Sequence, residues 1–91
     1  SMTHDDFIEK AKELVANYTN DHTDVSDGDK RIVNPDDDVY VVWSVKALQN
    51  SKALLSTNLF DGLYYEVTLN GDKNEIYFDG YKKFQNIKVE V

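Results

Sequence analysis

The chain has 91 residues and no cysteine. Disulfides, zinc–thiolate sites and thiol nucleophiles are thereby excluded, and such a composition suits an intracellular protein. The imidazole supply is two residues, His4 and His22. His4 falls in the first turn of a helical pattern and His22 among acids, with no obvious nucleophile beside either, so neither is expected to be catalytic. A metal held by His22 with Asp21 and Asp24 is a weaker reading than a plain surface loop. Glycine occurs four times and never at the spacing of a phosphate-cradling loop. Proline occurs once, at Pro35. No apolar run approaches the ~20 residues that span a bilayer, and no signal-peptide pattern stands at the start. Ser1 ahead of Met2 reads as an expression scar outside the fold. Cations are the minority charge: 10 Lys and Arg stand against 17 Asp and Glu, for a net charge of −7. Without clustered Lys and Arg, direct nucleic-acid binding is disfavoured. No cofactor, no metal and no membrane association is expected, and the expected location is the cytoplasm.

The charge that is present is unevenly placed. Residues 20–38 hold seven acids against Lys30 and Arg31, which leaves the rest of the chain nearly balanced. A solvated, solubilising loop is the plain reading, and a basic partner is electrostatically permitted. The run Asp24–Asp29 invites comparison with a calcium loop. With Gly28 at the sixth position, Thr23, Val25 and Asn34 fall where ligands are required, so the match fails.

The strongest structural signal is Asp38–Leu48, a β-type run that holds the only Trp. One parity is Val39, Val41, Trp43, Val45 and Ala47, all apolar; the other, with Tyr40, Ser44 and Lys46, is mixed. Alternation of this kind predicts a strand with one dry face, on which a helix would rest with Trp43 at the centre. Residues 3–19 supply that helix. Thr3 and Asp6 resemble a capping box, and Phe7, Ile8, Ala11, Leu14, Val15 and Tyr18 form an apolar stripe at spacings of three and four.

Beyond Leu48 come strands at 52–57 and 63–69, the latter with Leu63, Tyr65, Val67 and Leu69 inward. Phe60, in the loop between them, should fold back on the core. Asn70-Gly71 signals a hairpin. A two-residue loop would set Glu66 opposite Glu75, so a loop over 70–73 is favoured, pairing Val67 with Ile76 and Tyr65 with Phe78. A fourth strand follows at 74–79. Gly80 would bulge it or open a helical turn, and Ile87, Val89 and Val91 alternate as a final short strand. The expectation is a single α+β domain over residues 1–91, with an N-terminal helix (3–19), an acidic loop (20–37) and a four- or five-stranded antiparallel meander sheet (38–91) in a cystatin-like grip. The hairpin motifs of protease-inhibiting cystatins are absent, so that function is not carried over.

On the outward parity stand Tyr40, Tyr64 and Tyr77, with Tyr81 near them. Tyrosine offers contact area with few rotors and a polar tip. With Asp36, Asp37 and Asp38 just ahead of Tyr40, these residues form the candidate partner-binding set. Glu66 and Glu75, the nearest thing to a carboxylate pair, lie on the same outer parity without a sign of a pocket, so a glycosidase reading is not favoured.

The phrases Val-Tyr-Val-Val-Trp-Ser-Val-Lys-Ala-Leu-Gln-Asn, Lys-Ala-Leu-Leu-Ser-Thr-Asn, Tyr-Tyr-Glu-Val-Thr and Asn-Gly-Asp-Lys-Asn-Glu-Ile-Tyr, with Met-Thr-His-Asp-Asp-Phe at the start, resemble a family of small uncharacterised proteins. These are domain-of-unknown-function proteins encoded by phages and prophages of Gram-positive bacteria. The resemblance spans nearly all of the chain except the acidic connection. It implies a bacterial cytoplasm and a non-enzymatic protein that binds and modulates a host protein, a defence nuclease in the manner of an anti-CRISPR being one such target. The alternative is a structural or accessory phage protein that acts by self-association through the sheet edge or the tyrosine face, as in a homodimer.

Overall fold

A 19-residue helix, α1 (His4–His22), precedes four strands: β1 (Val39–Ala47), β2 (Asn50–Thr57), β3 (Leu63–Asn70) and β4 (Glu75–Lys82). The computed structural model describes residues 2–22, 32–59 and 62–91. The calcium-loop comparison over 23–31 and the expected docking of Phe60 fall outside these residues. The sheet is an antiparallel meander in the order β1-β2-β3-β4, so the α+β class and topology are as expected.

Why α1 starts where it does is visible locally. The Thr3 hydroxyl accepts the Asp6 N–H at 3.1 Å, and the Thr3 carbonyl accepts the Phe7 N–H at 2.9 Å. Asp5 and Asp6 place negative charge on the positive end of the helix dipole. The helix runs past the expected stop at Asn20, because His22 Nδ1 bonds the Tyr18 carbonyl at 2.8 Å and its ring stacks on Tyr18 at 4.0 Å. Its buried face is Phe7, Ala11, Val15, Ala16 and Thr19. Small side chains at 11 and 16 let the helix sit close over β2, with β1 and β3 on either side. Ala53, Leu55, Tyr65, Val67 and Leu69 form the floor, and Tyr18, Tyr65 and Phe78 pack ring to ring at its edge.

After the acidic stretch, the chain returns through Val33, which is buried beneath the helix end. Asn20 holds it there as a strand neighbour would: Nδ2 donates to the Val33 carbonyl at 3.0 Å, and Oδ1 accepts its N–H at 2.8 Å. Asn20→Ala is expected to cost about 1–3 kcal/mol, because both backbone groups lose their partner in a half-buried setting. Urea unfolding reads this; a loss under a few tenths of a kcal/mol would show the clamp to be incidental.

Three expectations are corrected. First, Trp43 is not the floor under the helix. β1 and β2 pair Val41 with Leu55 and then Trp43 with Leu54, so Val42 is an extra residue, a β-bulge. The bulge reverses parity. Val39 and Val41 face the helix, but from Trp43 onward the helix side passes to Ser44 and Lys46, while Trp43, Val45 and Ala47 turn outward. Trp43 is 44% exposed and Val45 51%.

Second, the β3–β4 register is offset by two residues from the expected one. Val67 pairs with Phe78, Leu69 with Ile76 and Tyr65 with Gly80, around a loop over 71–74. Gly80 neither bulges nor starts a helical turn. It lies within β4, and the Tyr65 ring covers the space where its Cβ would be. This register sets Glu66 opposite Asp79, a like-charge pair partly offset by Lys52 Nζ at 3.7 Å from Glu66. Asn74 closes the loop with a φ of 53°, a left-handed conformation that asparagine tolerates.

Third, 87–91 joins no strand ladder among the described residues. Residues 83–91 form no strand, and Phe84, Ile87, Val89 and Val91 are exposed.

Candidate functional site

With α1 on one side of the sheet, the other side carries no packed element among the described residues. The register sorts its side chains into transverse rows. Tyr40 lies opposite Ser56, Ser56 opposite Tyr64, and Tyr64 opposite Tyr81. The next row is Trp43, Leu54, Glu66 and Asp79, and the next Val45, Lys52, Thr68 and Tyr77. Tyr40, Tyr77 and Tyr81 are each about half exposed, and Tyr64 is half-buried between neighbours. Ser56 sits low in the tyrosine row, with its hydroxyl donated to the Leu63 carbonyl at 2.8 Å.

Of the residues singled out from sequence, Tyr40 and Tyr64 therefore share a row, and Tyr77 shares the face but lies four positions from Tyr81 along β4, about 13 Å. Tyr81 completes the row. Asp36, Asp37 and Asp38 stand at the Tyr40 end, in a turn that leads directly into β1. Their roles differ. Asp38 is a structural fastener: Oδ2 accepts the Asn34 N–H at 2.8 Å and Oδ1 the Asn58 amide at 2.9 Å, tying the start of β1 to the end of β2. The N–H groups of Asp36 and Asp37 donate to Asn34 Oδ1 at 2.9 and 3.2 Å, which leaves both carboxylates turned to solvent at the rim.

Trp43, Val45 and Leu54 add the apolar centre of the face, which sequence reasoning assigned to the core side for Trp43 and Val45. The only possible signal was the Val41-Val42-Trp43 run itself, and nothing in it marks a bulge. Beside Val45 the surface dips into an open depression of about 290 Å³ lined by Val45, Ala47, Asn50, Ser51, Lys52 and Thr68.

At the opposite corner the Tyr77 hydroxyl donates to Glu75 Oε2 at 2.8 Å. That bond and the Glu75 charge raise the Tyr77 pKa above its ordinary 10.0. The folded state thus holds the phenol proton more tightly than the unfolded chain. The resulting stability is fully present below the unfolded value and is lost as pH rises through the folded one. In a spectrophotometric titration one tyrosine is expected to ionise later than a free phenol, and Glu75→Gln should return it to the ordinary range. Identical curves for both proteins would rule the contact out.

On the helix side, His4 bridges two hydroxyls. Its Nδ1 is 3.3 Å from Ser51 Oγ and its Nε2 3.2 Å from Ser44 Oγ. Both ring nitrogens are thus occupied by serines, and among the described residues no carboxylate orients the ring as in a catalytic triad. The contact fastens the helix start to the β1–β2 hairpin. Among the described residues no three His, Asp or Glu side chains gather as a metal site, and no helix is long and apolar enough to cross a membrane.

No curated protein and no solved structure matches the chain. A family of unknown function, DUF6275, matches residues 8–91, and the chain belongs to this family.

Proposed function

We propose that the protein is a non-enzymatic binding module whose open sheet face grips another protein. The observation that carries this reading is the uncovered aromatic face: the row Tyr40–Tyr64–Tyr81 beside Trp43, Val45 and Leu54. An exposed apolar and aromatic patch with a polar rim is the composition of a protein interface, in which Trp and Tyr supply most of the binding energy. Asp36, Asp37, Glu66 and Asp79 make the surroundings acidic, and the whole chain is at −7. The partner surface is accordingly basic at its rim and apolar at its centre, with the depression by Val45 receiving one of its side chains. The resemblance to phage and prophage proteins of Gram-positive bacteria supports a host protein in the bacterial cytoplasm as the target. A defence nuclease, whose nucleic-acid groove is basic, suits the acidic rim.

The test is capture from a Gram-positive lysate at low salt with the wild type, Trp43→Asp and Tyr40→Ala in parallel. A partner held by the wild type should be weakened about 30-fold or more by Trp43→Asp, in line with a hot-spot loss of ~2 kcal/mol or more. It should also be weakened by raised salt. Both substitutions fall on exposed positions and should leave the circular dichroism unchanged. A partner retained equally by both variants, or none retained at all, counts against the reading.

A further inference from the structure

Beyond Lys83, the segment Phe84–Val91 stands outside the body of the fold. Its alternation of Ile87, Val89 and Val91 with Lys88 and Glu90 is that of a half-buried strand. Yet Phe84 is 96% exposed, Ile87 64% and Val89 75%. The segment also continues β4: the Lys83 N–H donates to the Gly62 carbonyl at 2.7 Å, carrying the β3–β4 ladder past Lys82. β4 is an edge strand, so one side of its backbone has no ladder partner among the described residues. The other edge, β1, is interrupted by the bulge at Val42, which is how natural sheets discourage pairing. The two stretches also carry opposite net charge. Glu75–Tyr81 contains Glu75 and Asp79 and no cation, whereas Lys82–Val91 holds Lys82, Lys83 and Lys88 against Glu90.

We propose that the occupant of the β4 edge is the Lys83–Val91 segment of a second copy of this chain, in a two-fold dimer where each copy donates its segment antiparallel to the other's β4. The proposal is independent of the heterologous partner proposed for the open face. Its register follows from charge. A two-fold antiparallel pair places one residue opposite itself. Centring on Lys82 or Lys83 would set lysine against lysine, which is destabilising. Centring beyond Phe84 pairs progressively less of β4. Centring on Phe84 sets the two phenylalanines together, Tyr81 opposite Ile87 and Tyr77 opposite Val91. Ile87, Val89 and Val91 then share the outer parity of Tyr77 and Tyr81, and Lys88 and Glu90 take the other.

The experiment is sedimentation equilibrium of the full chain, with cross-linking. The wild type is expected to be dimeric at tens of micromolar. Phe84→Asp, which sets like charges at the axis, should be monomeric with unchanged circular dichroism. Trp43→Asp, on the same sheet face but remote from β4, should remain dimeric. Because the chain lacks cysteine, Phe84→Cys gives a clean cross-link: opposite Cβ atoms in an antiparallel pair lie within about 5 Å, near disulfide reach. Lys82→Cys would stand roughly 13 Å from its copy along the strands and should not link. A monomeric wild type, a dimer unaffected by Phe84→Asp, dissociation by Trp43→Asp, or faster linking of Lys82→Cys than of Phe84→Cys would each overturn the proposal.

Discussion

Phe7→Ala is expected to destabilise the fold by about 3–5 kcal/mol, the range for emptying a large aromatic site in a core. Phe7 is fully buried, at 0% exposure, in the first turn of α1. It is among the largest side chains between helix and sheet, and the helix has few others: Ala11 and Ala16 contribute contact distance more than volume. The helix start is also fixed by the Thr3 cap and by His4 on Ser44 and Ser51, so the backbone cannot readily collapse into the space left by the ring. A domain of this size has a total stability on the order of 5–15 kcal/mol, and the loss would leave little margin. Urea unfolding should show a midpoint far below the wild type with a similar slope. A loss under 1 kcal/mol would mean that the helix is only loosely seated.

Gly71→Ala is the second large effect, and its mechanism is different. Asn70-Gly71 looks like a hairpin signal, in which glycine serves a positive φ. Here the positive φ in that loop belongs to Asn74. Gly71 is needed because the β3–β4 loop passes against the β1–β2 loop: a Cβ on Gly71 would lie 1.9 Å from the Gln49 carbonyl oxygen and 2.9 Å from its carbon. Backbone cannot step aside as a flexible side chain would, so one loop must move. That movement also threatens the bond from the Gly71 N–H to Asn50 Oδ1 at 3.1 Å. The expected cost is about 1–3 kcal/mol, the usual range for overpacking. Proton and nitrogen chemical shifts should move at residues 48–50 as well as 70–74. Shifts confined to the β3–β4 loop, with stability unchanged, would remove the close approach from the account.

Both effects arise from contacts between segments far apart in the chain, whereas the helix and the strands follow local patterns. The helix was legible because its cap and its stripe are local: Thr3 and Asp6 are three residues apart, and Phe7, Ala11 and Val15 recur at the helical period. The strands and their order were legible because alternation and turn residues are local too. The candidate site was legible in part. Tyr40, Tyr64 and Tyr77 were placed on the outer face, since parity holds within each unbroken strand. Trp43 and Val45 were not, because one extra residue at Val42 reverses parity without leaving any Gly or Pro to mark it. Register failed in the same way. The like-charge rule argued against Glu66 opposite Glu75, but the structure accepts Glu66 opposite Asp79, with Tyr65 over Gly80 on the other face of the same pairing. That exchange depends on both faces of two strands at once.

What the sequence alone determined is therefore the fold class of the molecule and where its charge is concentrated. It specifies an α+β fold with an N-terminal helix on an antiparallel meander, without thiols, with acid concentrated ahead of the first strand and tyrosines on the outward parity. These follow from composition and from periods of two and 3.6 residues, which the local chain enforces. What only the tertiary structure decided is which side of the sheet the Trp43 half of β1 occupies, which residue pairs across β3 and β4, and that Phe84–Val91 packs into no strand ladder among the described residues. Each depends on contacts between segments far apart in the chain, where a single bulge or a two-residue shift alters what a side chain meets while the local pattern stays the same.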